Sequence, residues 1–234
     1  MTVGDVSGRE RRERGQHLSR SQEDYLKQIF LLGDGEGTVS TRDLSRRLAV
    51  RPASVTGMVR RLAELELVRH EPYRGVRLTE AGRRVALEML RHHRLLETFL
   101  ARVLGYDWDE VHDEAERLEH VISERFEARI AETLGHPTRD PHGDPIPDAD
   151  LRLPPDAVET NLALMSEGAR GVVSRVAAQD RDSLAALGRC GVVPGAGVEV
   201  LGSARHGLRV AVEGASFVLP PELARHLWIR EEAR

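Results

Sequence analysis

Between residues 20 and 135 the apolar positions recur at three- and four-residue intervals, whereas beyond residue 160 they fall into short runs cut by Gly and Pro. The first spacing belongs to amphipathic helices and the second to short strands. The stretch SQEDYLKQIFLLG, 21–33, predicts a helix capped at Ser21 and stopped by Gly33. STRDLSRRLAV, 40–50, opens on Ser and Thr and sets Leu44 and Leu48 one turn apart. Pro52 then suits a turn or the first helical position. ASVTGMVRRLAELELV puts Val55, Met58, Val59, Leu62 and Leu65 on one face, with Arg60 and Arg61 opposite. Two short helices joined tightly in this way predict a helix-turn-helix. Two β-leaning runs then flank PYRG and carry Arg69, Arg74 and Arg77, which adds a hairpin and makes the unit a winged helix.

Two longer helices are predicted next. The first covers 79–105 and has a capping-box-like start at Thr79; its stripe is Ala86, Met89, Leu90, Leu96, Leu100 and Leu104. The second covers 107–135, with the stripe Val111, Ala115, Leu118, Ile122 and Phe126 and a stop at Gly135. Residues 136–158 hold six of the eleven prolines and read as a crossing to a new domain. Beyond it GVVSRV, GVEVLG, LRVAV, SFVLP and LWIR alternate with turn residues, and RDSLAALGR is a short helix among them, a pattern suited to a small SH3-type barrel.

Charge sharpens this division. Residues 1–84 carry 17 Lys and Arg against 12 Asp and Glu, while the remaining 150 residues carry 17 against 26. A basic head on an acidic body suits a chain whose first part meets nucleic acid. In that reading helix 53–65 enters the major groove of double-stranded DNA. Arg51, Ser54, Thr56, Arg60 and Arg61 become candidate base or phosphate contacts, and the wing residues Arg74 and Arg77 meet the backbone or minor groove. The single cysteine, Cys190, excludes a disulfide framework or a Cys-rich zinc site and fits a reducing cytoplasm. No apolar run approaches the roughly 18 residues that span a bilayer, so no membrane association is expected. The stretch MTVGDVSGRERRERGQH, 1–17, lacks a signal-peptide core and reads as a disordered charged tail.

The chemistry lies on the long helices. HDEAERLEHV places His112, Glu116, Glu119 and His120 within about a quarter of a helix circumference. Carboxylates stacked at that spacing repel unless a cation stands between them. On the preceding helix His93 and Glu97 interrupt the apolar stripe, and a buried polar side chain without a partner costs several kcal/mol. The pair could satisfy itself at i, i+4. Six oxygen and nitrogen donors on neighbouring helices, with no thiolate, also form a divalent-metal pattern. No H-E-x-x-H arrangement and no nucleophile with its base accompany them, so an enzyme using a two-His-one-carboxylate site is the weaker reading.

The ordered set EDYLKQIFLL, VRPASVTGMVRRL, YRGVRLTEAG, HHRLLETFL, VHDEAERLEHV, GDPIP and GVVPGAGVEVL resembles the diphtheria toxin repressor family of metal-dependent transcriptional regulators, in its manganese-responsive type, over about 18–234. The resemblance implies a mainly α chain with a small β part. Its domains would be a winged helix-turn-helix at 18–84, a helical dimerisation and metal-binding domain at 85–147, a linker at 148–159 and an SH3-like (FeoA-like) β-barrel at 160–234. It implies a homodimer that binds palindromic operator DNA and acts as a repressor of metal-uptake genes. The activating ion would be Mn(II), with Fe(II) as the alternative and other divalent ions acting in vitro.

The same resemblance implies two metal sites. One uses Asp24, Glu116, Glu119 and His120. The other uses His93, Glu97 and His112, completed from the SH3-like domain by Asp180, with Gln179 or Ser183 as weaker choices. Iron-responsive members carry Cys and Met where this chain has Glu116 and Asp24, and the harder oxygen ligands favour Mn(II). Lys27 stands where some manganese-responsive members have a Glu ligand, which argues against their paired-metal arrangement here. Gly57 replaces a long polar side chain on the recognition helix, so the operator sequence cannot be carried over.

Overall fold

The computed structural model describes residues 18–71, 74–155, 158–178 and 180–231. The expected disordered tail at 1–17, Pro72 and Tyr73 of the predicted turn, and the weaker ligand candidate Gln179 lie outside the described residues. The chain divides into two compact units, one comprising 1–92 with 149–151 and the other 93–148 with 152–234.

In the first unit α1 (Arg20–Leu32), α2 (Thr41–Arg47) and α3 (Pro52–Glu64) precede the antiparallel hairpin β1 (Val68–Glu71) and β2 (Gly75–Leu78), which is the predicted winged helix-turn-helix. The cap of α1 is Ser19 and not Ser21. Ser19 and Gln22 form a reciprocal capping box, satisfying two helix-end donors that a cap at Ser21 could not. Ser40 caps α2, and Pro52 occupies the start of α3, where its missing N–H costs nothing. Leu26, Ile29, Leu44, Val55, Leu62, Leu67 and Val76 are buried. A β-bridge ties Val39 to Val76. Gly75 makes that approach possible: at φ +122° a Cβ would lie 2.2 Å from the Val39 carbonyl oxygen.

The long helix α4 (Glu80–Arg102) starts where the Thr79 hydroxyl accepts from the Gly82 N–H. Its predicted stripe is buried through Leu100, but Leu104 lies beyond the helix end and is exposed.

The predicted second long helix is two helices. In the second unit α5 (Val111–Leu118) ends at Glu119, and α6 (Glu124–Thr133) begins after Ser123. The Ser123 hydroxyl accepts from the Phe126 N–H, offering the chain a new helix start; β-branched Val121 and Ile122 weaken the helix just before it. The break also turns Phe126 out of the expected stripe, leaving it exposed. Leu95, Leu96, Leu100, Val111, Ala115, Ile130, Ala131 and Ile146 form the core of this helical part.

The stretch after α6 is more than a crossing. Arg139 bridges Pro145, the Ile146 N–H donates to the Thr138 carbonyl, and Asp140 and His142 are buried. A six-stranded antiparallel sheet follows in the order β3-β8-β4-β5-β6-β7. Its strands are β3 (Thr160–Asn161), β4 (Arg170–Val176), β5 (Gly197–Ala204), β6 (Gly207–Val212), β7 (Ala215–Leu219) and β8 (Leu227–Glu231). Helix α7 (Arg181–Arg189) links β4 to β5, and α8 (Pro221–Ala224) precedes β8. Val173, Val176, Leu184, Leu187, Val200, Val210, Leu227 and Ile229 fill its interior, as alternate inward positions of a small barrel should. Among the described residues no helix is long and apolar enough to cross a membrane.

Candidate metal centre

In the second unit α4 supplies His93 and Glu97 one turn apart, α5 supplies His112 and Glu116, and the turn that ends α5 supplies Glu119 and His120. Glu119 keeps helical dihedral angles, so the predicted strip survives the helix break up to that residue. His93, Glu97 and Glu119 are buried, and His112, Glu116 and His120 are half-buried.

His93 is the hub. Its Nδ1 lies 2.5 Å from Glu119 Oε2, and its Nε2 lies 3.0 Å from Glu97 Oε1 and 3.1 Å from His112 Nδ1. His112 Nδ1 is in turn 3.2 Å from the same Glu97 oxygen. A neutral imidazole has only one N–H. With Nδ1 donating to Glu119, the Nε2 lone pair of His93 faces a carboxylate oxygen and another imidazole nitrogen. Three donor atoms about 3 Å apart are also what one face of an octahedral divalent ion requires, because bonds of about 2.1 Å at right angles separate neighbouring ligands by about 3 Å. The residues therefore fit a divalent cation of nitrogen and oxygen preference.

Glu116 and His120 flank this triangle. Glu116 Oε1 lies 4.0 Å from His112 Nε2, and Glu119 Oε1 lies 3.5 Å from His120 Nε2. His93, Glu116 and Glu119 can also offer one atom each to a common point.

Two residues missed in the sequence join the cluster from the ordered loop after α6. Glu97, Asp140 and His142 are all buried and converge. His142 Nδ1 lies 3.6 Å from Glu97 Oε2, the oxygen not used by His93 and His112. Asp140 Oδ1 accepts from the His142 and Asp144 N–H groups, and its other oxygen lies 3.7 Å from Arg94. The signal available in the sequence was DPHGD, an acid and an imidazole inside a proline-rich stretch that composition assigns to a linker.

The electrostatics follow from this crowding. Burial alone would raise Glu97, but the His93 charge and hydrogen bonds from His112, His142 and His93 hold its carboxyl well below the usual carboxylate range. Burial pushes Asp140 well up, reinforced by the neighbouring Glu97 and Asp144 charges against the pull of Arg94 and His142. Burial would lower His142, yet its hydrogen bond and charge attraction to Glu97, the charge of Asp140 and the Trp108 carbonyl raise it to about 9.

Asp180 stands apart from these converging groups. It is exposed and caps α7, with Oδ1 accepting from the Ser183 N–H at 2.8 Å, which lowers its pKa. None of the converging acid and imidazole groups among the described residues includes it. Asp24 lies half-buried on α1, in the first unit.

The proposed DNA-facing residues lie at α3 and on the β1–β2 hairpin. Arg51, Ser54, Thr56, Arg60, Arg61 and Arg74 are exposed, and Arg77 is half-buried in an ion pair with Glu71 at 3.1 Å. Thr56 donates to the Pro52 carbonyl, and Arg60 pairs with Glu64. Gly57 is open, with nothing within 4 Å of a Cβ built there.

Comparison with known families accounts for nearly all of this architecture. Residues 17–76 match the iron dependent repressor N-terminal DNA-binding domain, 79–148 its metal binding and dimerisation domain, and 160–231 the FeoA domain. The iron-dependent repressor IdeR of Mycobacterium tuberculosis is 36% identical over 219 residues, covering 88% of this chain and 95% of its own length. The chain belongs to the diphtheria toxin repressor family of metal-dependent transcriptional repressors. A manganese-dependent transcriptional repressor solved in complex with manganese is 42% identical, with a TM-score of 0.83, covering 90% of this chain and all of the other. The regulator MntR of Bacillus subtilis is 37% identical over 114 residues, 49% of this chain and 80% of its own. The chain is thus a DNA-binding regulator of the metal-dependent repressor type.

Proposed function

We propose that the chain is a Mn(II)-activated repressor of metal-uptake genes that acts in the cytoplasm as a homodimer on palindromic operator DNA. The observation that carries this reading is the largely buried triangle of His93 Nε2, Glu97 Oε1 and His112 Nδ1, whose sides are 3.0, 3.1 and 3.2 Å. It holds only nitrogen and oxygen donors, and the likeness to a manganese-bound repressor over 90% of the chain supports Mn(II). Fe(II) is the second reading, favoured by the iron-dependent relative that matches 88% of the chain.

His93, Glu97 and His112, joined by His142, hold one ion. Asp24, Glu116, Glu119 and His120 hold the other; this second set rests on residue type and on the family resemblance. A bound ion supplies positive charge that offsets the crowded carboxylates and links the side chains it shares. Asp24 belongs to the helix preceding the helix-turn-helix, and its fellow ligands belong to α5 and its terminal turn. Binding all of them favours one setting of the DNA-reading head. In a dimer that setting fixes the distance between two recognition helices, which must match half-sites about 34 Å apart. Shifting such an equilibrium from 1:99 to 99:1 takes roughly 5.5 kcal/mol of preference. Operator DNA then tightens metal binding by the same factor.

The N-terminal half of α3 carries Ser54, Thr56 and Arg60 into the major groove, and Arg74 and Arg77 of the wing meet phosphate. The test is fluorescence anisotropy with DNA from the chain's own upstream region and nearby transporter promoters, titrated with Mn(II), Fe(II) and Zn(II). Mn(II)-dependent binding supports the proposal, whereas binding indifferent to chelator or found with Fe(II) alone overturns it.

A further inference from the structure

We infer that Gly57 is a specificity-determining residue of the DNA-reading helix: its bare Cα seats the C5-methyl group of a thymine in each operator half-site. This rests on the reading of α3 as the helix that enters the major groove. Inside a helix, glycine is disfavoured by roughly fourfold relative to alanine, so its presence calls for a reason. Elsewhere in the first unit the reason is visible. A Cβ on Gly33, Gly37, Gly75 or Gly82 would meet a main-chain oxygen at 2.8, 2.6, 2.2 or 1.9 Å, and Gly35 has a φ of +84°. Gly57 shows neither cause. It lies in the middle of α3 without a positive φ and is exposed, and a Cβ built on it would have no atom of the described residues within 4 Å.

Its place on the helix says what would meet it. Successive helical residues are about 100° apart, which puts Gly57 about 200° round from buried Val55 and opposite buried Val59 and Leu62 as well. Gly57 is therefore on the ridge that points away from the core, the ridge that reaches the floor of a groove. Exposed Ala53 precedes it by one turn on that ridge, and exposed Arg60 and Glu64 follow. Two polar side chains beside it are tied back to their own helix. The Thr56 hydroxyl donates to the Pro52 carbonyl at 3.1 Å, and Arg60 Nε lies 3.1 Å from Glu64 Oε1. At Gly57 itself a base edge can approach closer by the depth of one carbon, and no side chain there can hydrogen-bond to it. Pressed that close, guanine, adenine or cytosine would lose water from a donor or acceptor and gain no partner. Thymine alone carries an apolar group at its major-groove edge, and its methyl fills the space that a Cβ would take.

The test moves one methyl group between DNA and protein. A duplex is selected from a random pool by the full parent chain in Mn(II), and each thymine of its half-sites is replaced in turn by deoxyuridine, which lacks the C5-methyl. At one symmetric pair of positions the parent should lose roughly fourfold in affinity for each half-site, the worth of one buried methyl. Gly57→Ala should unfold at a higher temperature than the parent, because its helix propensity rises. It should nevertheless bind the selected duplex roughly tenfold more weakly, since its Cβ collides with the thymine methyl. With deoxyuridine at that same pair, Gly57→Ala should bind more tightly than with thymine, reversing the parent's order. The inference is overturned if Gly57→Ala binds the selected duplex as the parent does, or if no deoxyuridine position reverses the order. A lower unfolding temperature in Gly57→Ala overturns it equally, because the fold would then require the glycine. A parent chain that selects no sequence from the pool would instead overturn the reading of α3 as the helix in the major groove.

Discussion

His93 Nδ1 lies 2.5 Å from Glu119 Oε2, joining the middle of α4 to the turn that ends α5. Both side chains are buried, so the contact is a charge-bearing joint with little water to screen it. The remaining nitrogen of His93 meets Glu97 and His112, and the other oxygen of Glu119 faces His120. One imidazole and one carboxylate thereby connect both sets of proposed ligands, and changes in either set should register in metal binding before they register in the fold.

The first expectation concerns selectivity. Glu116 is half-buried 4.0 Å from His112 Nε2, and its carboxylate is a hard donor. Glu116→Cys substitutes a soft thiolate and should raise affinity for Fe(II) and Co(II) relative to Mn(II). Calorimetric ranking of the three ions checks this, and an unchanged order would remove the hard-ligand argument for manganese.

A second expectation concerns pH in the metal-free chain. His142 is raised to about 9, chiefly by Glu97 once burial is overcome, so its charged form is favoured by folding. Its contribution to stability is complete below the unfolded value of about 6.5 and is lost as pH rises through about 9. Glu97 is lowered, so its contribution is present above the ordinary carboxylate range and fades as pH falls through the lower folded value. Thermal unfolding in chelator should therefore show a declining alkaline limb from about pH 6.5 to 9 that flattens in His142→Gln. An identical limb in that variant would contradict the assignment.

A third expectation concerns the wing. Arg74 is exposed on the hairpin and is assigned to phosphate. Arg74→Ala should weaken operator and non-operator DNA alike and reduce the slope of log affinity against log salt by about 1. Loss confined to the operator would place it at a base edge instead.

Local rules and periodicity go far in this chain. Ser40, Pro52 and Gly33 mark helix ends as their chemistry demands, and Val55, Val59 and Leu62 are buried as their spacing requires. The misses have a common cause. Ser123 offered a cap that the uninterrupted apolar spacing of 107–135 concealed, because periodicity counts residues and not competing hydrogen bonds. Asp140 and His142 escaped notice because proline content signals a linker, while their burial depends on β4 and Trp108, far away in sequence. Asp180 is named as a ligand only within the resemblance, and what the structure itself shows is the cap that its place one residue before a helix supplies. His93 and Glu97 were legible because imidazole and carboxylate inside an apolar stripe need a partner, and no tertiary knowledge is required to see that.

A divalent ion held by acids and imidazoles is proposed to switch DNA binding on. The decisive measurement is the operator affinity of Asp24→Ala and Glu119→Ala against the parent, each titrated with Mn(II) and checked for dimer formation by light scattering. Both variants should remain folded dimers and lose Mn(II)-dependent binding. Undiminished Mn(II)-dependent binding in either would contradict it.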